Sequence, residues 1–122
     1  MKVLLIDPEE KTITEIQISK GLDPIYKAIG CDMFECPIQY ENQDTLYCDE
    51  ESWLKYDGHE KGFVFPNLKS PILGKALIMG CDDEGESKDC KSTPEDFSNI
   101  IWINEVDIKI YGKLTGLIYE DV

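Results

Sequence analysis

The sequence predicts an α+β fold: a mostly antiparallel sheet with one or two short helices on one face, in a single domain over residues 1–122. Three observations predict it. Short apolar or alternating runs are separated by polar turns, which is the pattern of hairpins. Helix caps and spacing occur in only two short segments. The length of 122 residues and an apolar fraction of 42% suit one core of ordinary size.

Lys2 to Ile6 reads as a short buried strand, with four consecutive aliphatics. Asp7 to Lys11 is a turn in which Pro8 supplies a fixed φ. Thr12 to Ser19 is the partner strand. Thr12, Thr14, Ile16 and Ile18 share one face and Ile13, Glu15 and Gln17 the other, which predicts one buried side and one wet side. Gly21-Leu22-Asp23-Pro24 opens a helix with Asp23 at the N-cap and Pro24 at the first helical position. Leu22, Ile25, Ala28 and Ile29 have helical spacing, and Gly30 closes the helix. This helix is expected to cover one face of the sheet.

Met33 to Tyr40 and Asp44 to Asp49 read as two strands joined by Glu41-Asn42-Gln43. Pro37 marks the first as an edge or a bulge. Glu50 to Tyr56 fits either a helical turn or irregular chain. Asp57 to Gly62 is a loop, and Phe63 to Asn67 is extended and aromatic. Ile72 to Met79 is expected to form one central strand, with Gly74 as a bulge or a close backbone approach. Asp82 to Ser92 reads as an exposed loop. Ser92-Thr93-Pro94-Glu95-Asp96 carries a cap, a proline and first-turn acids, so a short helix runs to about Asn99. Ile100 to Ile103 extends from it. Val106, Ile108 and Ile110 alternate with Asp107, Lys109 and Tyr111, which predicts a half-buried strand. The tail from Leu114 to Val122 reads as one more edge strand.

The net charge is −13, from 25 acids against 12 basic residues, every one of which is Lys. Such a chain lacks the clustered cations that direct nucleic-acid binding needs. The absence of Arg also weighs against planar, bidentate clamping of phosphate. No phosphate-binding glycine loop is present, since Gly74-Lys75 and Gly112-Lys113 lack the preceding spacing. The opening apolar run is too short for a signal peptide, and no stretch approaches the ~20 apolar residues of a membrane span. Cytoplasmic location and no membrane partner are therefore expected. Five cysteines, Cys31, Cys36, Cys48, Cys81 and Cys90, are an odd count that argues against a disulfide framework.

Two tetrads stand out. Cys48-Asp49-Glu50-Glu51 and Cys81-Asp82-Asp83-Glu84 each follow a strand-like run, so thiolates and carboxylates at neighbouring strand ends could share a metal ion. Zinc wants four convergent nitrogen or sulfur ligands, and His59 is the sole histidine. Asp82 to Asp89 lacks the alternating ligands of a calcium loop. No metal, cofactor or catalytic residue is therefore expected. His59, flanked by Gly58 and Glu60, suits an exposed loop better than a cysteine–histidine pair. Trp53, Tyr56, Phe63 and Phe65 suit a satellite core under a long loop better than a binding surface.

The acids recur at turns and strand ends. On one face they would steer a basic partner, or imitate nucleic-acid phosphate towards a host DNA- or RNA-binding defence protein. The expected partner is another protein, met through Asp82, Asp83, Glu84, Glu86, Asp49, Glu50, Glu51 and Trp53. The chain itself is expected to be a monomer or homodimer. A small ligand- or metal-binding domain with a Cys/Asp site is the alternative.

Met1 to Pro8, the hairpin to Ile18 and the helix through Ile29-Gly30 resemble the start of the domain-of-unknown-function 3846 proteins of phages and bacteria. Asp49-Glu50-Glu51 before Leu54, then Pro66-Asn67 leading into Ile72 to Gly80, are similar to the middle of that family. The resemblance spans roughly residues 1 to 80, with Asp57 to Phe65 insertion-like and the acidic stretch after Gly80 departing. It implies a small α+β fold and a phage or mobile-element setting in a bacterial host cell. It transfers no catalytic residue. The expected role is that of a non-enzymatic accessory protein.

Overall fold

The computed structural model describes residues 1–68 and 70–118. In chain order its elements are β1 (Lys2–Asp7), β2 (Thr12–Gln17), α1 (Leu22–Ile29), β3 (Phe34–Gln39), β4 (Thr45–Asp49), β5 (Gly62–Val64), β6 (Ile72–Leu73), β7 (Ala76–Cys81), β8 (Ser87–Lys88), a 3-10 turn (Pro94–Phe97), β9 (Ile101–Ile103) and α2 (Glu105–Thr115). The fold is α+β, as the sequence predicts, and every strand pair is antiparallel.

The main sheet runs β2-β1-β7-β4-β3, with β8 on the end of β7. Its central strands are the most apolar because both faces are covered. Val3, Leu77 and Met79 point to one side, where Ile25 and Ile29 of α1 pack on them. Leu4, Ile6, Ala76 and Ile78 point to the other, where Phe63, Phe65, Ile72 and Phe97 fill the space. That second layer is a small sheet, β6-β5-β9, with the 3-10 turn. Gly62 has no side chain because a Cβ there would run into the Ile72 carbonyl of the neighbouring strand.

Several expectations are corrected by this double cover. β2 has no single buried side: Ile13 packs against one core and Ile16 against the other. Ile72 to Met79 is not one strand. Gly74, at φ 78°, turns the chain so that β6 joins the small sheet and β7 enters the large one. The α1 N-cap is Gly21 rather than Asp23, which lies inside the first turn, while Gly30 ends the helix in the left-handed conformation as expected. β3 is an edge strand whose register shifts between Glu35 and Ile38, around Pro37.

The largest correction concerns residues 105–115. They form α2 and not a strand. Asn104 caps the helix by accepting from the Asp107 N–H at 2.9 Å, and Gly116 closes it. Ile108 is fully buried while Val106 and Ile110 are exposed, so the alternation does not report a half-buried strand. Leu114 and Thr115 belong to this helix, so the expected edge strand from Leu114 does not start there. Residues 119–122 of that expectation lie outside the described residues.

Asp82 to Ser92 is not exposed throughout. Cys90 and Ser92 are buried, and the segment is pinned by Asp44, which is fully buried. The Asp44 carboxylate accepts from Lys91 N, from Ser92 N at 2.8 Å and from Ser92 Oγ at 2.5 Å. Ser92 is thus a core anchor, and Thr93 takes the capping position expected within this segment. Replacing Asp44 by Ala leaves these donors unpaired, so Asp44→Ala should cost about 2–4 kcal/mol. Urea unfolding checks this, and an unchanged midpoint would contradict the assigned role.

Candidate functional site

The antiparallel pairing of β4 with β7 decides the fate of the two tetrads. Cys48 lies opposite Ala76, and from Ala76 to Cys81 the strand runs on for about 16 Å at roughly 3.3 Å per residue. The strands are neighbours but leave the sheet at opposite ends. Asp49 ends β4 and Glu50 and Glu51 follow it at one end, and Asp82, Asp83, Glu84 and Glu86 follow β7 at the other. The thiols also differ in face: Cys48 sits in the core with Ala76 and Ile78, and Cys81 follows the parity of Leu77 and Met79. Among the described residues no cluster of three His, Cys, Asp or Glu side chains is arranged to hold a metal ion.

The two acidic ends are not equivalent. Asp49 pairs with Lys55 at 3.1 Å, and Glu9, in the β1–β2 turn at the same end, pairs with Lys61 at 3.5 Å. At the other end, Asp82 accepts from the N–H groups of Glu84 and Glu86, both at 2.9 Å, which shapes the turn. Asp83 accepts from Gln43 Nε2 at 2.8 Å, which ties this turn to the β3–β4 turn. Among the described residues no ion pair joins the acids from Asp82 to Glu86.

Trp53 is a supporting side chain. It stacks on Tyr56 at 6.1 Å between ring centroids and packs on Tyr111 of α2 at 6.0 Å. Gly112 leaves room for Trp53 and Ile118 on that side of the helix. Phe63 and Phe65 belong instead to the main core, so the four aromatics do not form one satellite. His59 is exposed, with its N–H bonded to Asp57 and Glu60.

Sequence reasoning missed the outer face of α2. Val106, Ile110 and Leu114 recur every four residues and therefore form one stripe along the helix. They are 65%, 50% and 82% exposed, so at least half of each faces water. The signals were present as Asn104, the first-turn acids Glu105 and Asp107, and Gly116. Short aliphatic alternation concealed them.

All five cysteines are free. Cys31, Cys48 and Cys90 are buried and Cys36 is exposed. Burial first, and then Glu35, push the Cys48 thiol well above its ordinary value, and burial pushes the Tyr47 phenol up to about 12.

What the fold defines is a small α+β domain built on an antiparallel sheet, covered by a helix on one face and a smaller sheet on the other. The chain belongs to the family described as domain of unknown function (DUF3846), whose model matches residues 1–105. That match takes in the hairpin, both sheets and the first residue of α2. No curated protein and no solved structure shows significant similarity to it. Among the described residues no helix is long and apolar enough to cross a membrane.

Two predictions follow from buried polar groups. The Tyr56 hydroxyl is buried, and among the described residues it has no hydrogen-bond partner. Tyr56→Phe should therefore leave stability unchanged or raise it by up to about 1 kcal/mol, read as the thermal midpoint; a clear loss would reveal a partner for that oxygen. For Cys48 and Tyr47 the fold favours the neutral form. The unfolded chain loses these protons first, near pH 9 and pH 10. Their contribution is present below pH 9 and is lost as pH rises towards 12. Urea midpoints at pH 8 and pH 11 should fall in that order, and iodoacetamide at pH 8 should label Cys36 before Cys48.

Proposed function

We propose that this is a non-enzymatic accessory protein that binds another protein, with the α2 face as its apolar contact and a basic partner surface around it. The observation that carries the reading is the stripe Val106, Ile110 and Leu114, which stands exposed on an acidic domain. Three large aliphatics in one line offer a strip that a partner can desolvate, at about 25 cal/mol per Å² buried. A net charge of −13 selects a partner of opposite sign and speeds its approach. The acids that follow β4 and β7 lie at opposite ends of the sheet, which favours this reading over imitation of a phosphate backbone. Five free thiols fit a reducing compartment, and we place the protein in the cytoplasm of a bacterial cell, in a phage or mobile-element setting.

The test compares the full chain with the double variant Ile110→Glu, Leu114→Glu as bait in bacterial lysate at low and high salt. Both positions are exposed, so the fold and its thermal midpoint should be kept. Proteins retained by the wild type at low salt should drop more than tenfold with the variant, given about 1.5–3 kcal/mol per fully buried aliphatic. Identical retained sets from both baits would overturn the reading.

A further inference from the structure

A cleft of about 580 Å³ opens at the end of the main sheet where β4 begins. Its walls come from three parts of the chain. The β3–β4 turn supplies Tyr40, Glu41 and Asn42, the chain after β5 supplies Phe65 and Asn67, and the 3-10 turn region supplies Asp96, Phe97 and Asn99. The volume lies in the range of small-ligand sites.

The lining is chemically one-sided. Tyr40, Phe65 and Phe97 form an aromatic floor, with Tyr40 edge-on to Phe97 at 5.6 Å and Phe65 at 5.7 Å from Phe97. Among the described residues the charged groups are Glu41 and Asp96, and no described Lys lines the cleft. One Asp96 oxygen accepts from Thr93 N at 2.8 Å, which leaves the other free among the described residues. The side-chain amides of Asn67 and Asn99 make no hydrogen bond to a described residue, and each has a carbonyl oxygen to offer. Two carboxylates, with no cation among the described lining residues, disfavour an anionic ligand. Aromatic faces and planar amide acceptors suit a flat cation with several N–H donors.

We propose that this cleft receives an arginine side chain of the protein partner, an inference that rests on the partner-binding reading. A guanidinium is planar, always charged, and carries five donors. It can lie against Tyr40, pair with Glu41 or Asp96, and donate to Asn67 and Asn99. An ammonium has no flat face to match the floor. The charge around the cleft points the same way. Gln43, next to Glu41 and Asn42 in sequence, bonds Asp83, so the acids Asp82 to Glu86, which have no ion pair among the described residues, stand beside the β3–β4 turn. Their field draws a cation towards the opening. The occupant is also foreign to this chain: all twelve basic residues are Lys, so a second copy has no guanidinium to insert.

The experiment is a titration of the full chain with N-acetyl-arginine amide, followed by the NMR side-chain amide signals of Asn67 and Asn99 and the ring signals of Tyr40. The same titration is run with the lysine and citrulline analogues, and with Glu41→Gln and Asn67→Ala, both at exposed positions. We expect millimolar binding of the arginine probe, at least about fivefold tighter than the lysine analogue, and no binding of the neutral citrulline analogue. Each variant should weaken it about threefold or more. Silent signals up to about 50 mM probe, or equal responses to arginine and lysine or to arginine and citrulline, would overturn the assignment. The titration needs no partner. Failure here leaves the capture by α2 standing, and failure of that capture leaves a guanidinium-binding cleft.

Discussion

Asp44 is the constraint on which the two-layer arrangement rests. Its carboxylate is fully buried at the start of β4 and takes its donors from residues far along the chain, Lys91 and Ser92. Asn42 adds a clamp by accepting from Asp44 N at 2.9 Å and donating to Ser92 Oγ at 3.0 Å. A buried carboxyl group with no cation beside it is tolerable only when donors surround it. The consequence is positional. Segment 89–93 must run past the β3–β4 turn, and the next residues, Pro94 to Phe97, are delivered over the sheet, where Phe97 enters the core. The same anchor places Asp96 and Asn99 across from Glu41 and Asn42, so the cleft and the second core layer share one origin.

Antiparallel order then sets the charge distribution. Turns that follow β1 and β4 share one end of the sheet, and the turn that follows β7 lies at the other. At the first end Lys55 and Lys61 each pair with an acid. Exposed pairs of this kind add little stability, but they lower the local negative potential. At the second end Asp82 shapes the turn by accepting the N–H groups of Glu84 and Glu86, Asp83 ties it to Gln43, and Lys2 pairs with Glu15 at 3.9 Å.

The large features of the fold were legible because they depend on local chemistry. The β1–β2 turn follows from Pro8, the end of α1 from Gly30, and the edge position of β3 from Pro37. The errors arose where a long-range partner overrode a local pattern. Ile72 to Met79 reads as one strand until the left-handed Gly74 divides it between two sheets. Asp82 to Ser92 reads as an exposed loop until Asp44 claims the Ser92 hydroxyl. Val106 to Tyr111 alternates well, yet Asn104 and Gly116 bracket a helix of eleven residues, and packing of Ile108 and Gly112 selects it. The acidic residues were visible, but their separation was not, because it follows from which strands pair and in which direction.

The error over α2 has a physical lesson for the protein's surface. Aliphatics at positions i, i+2 and i+4 serve a strand by burying all three on one side. On a helix the same residues diverge, so burial of Ile108 forces Val106 and Ile110 outward. Leu114, one turn further on, extends the line of the exposed pair. The helix is therefore anchored by one aliphatic, Ile108, with Tyr111 on Trp53 and the close approach at Gly112, and it keeps the Val106, Ile110 and Leu114 stripe largely in water. Nothing in the folding of the described residues requires that surface to be aliphatic, since polar residues at 106, 110 and 114 would leave the Ile108 and Gly112 contacts intact. An exposed stripe that folding does not need is better explained by contact with a partner, and the absence of Arg from the chain leaves an arginine for the acidic cleft to come from that partner.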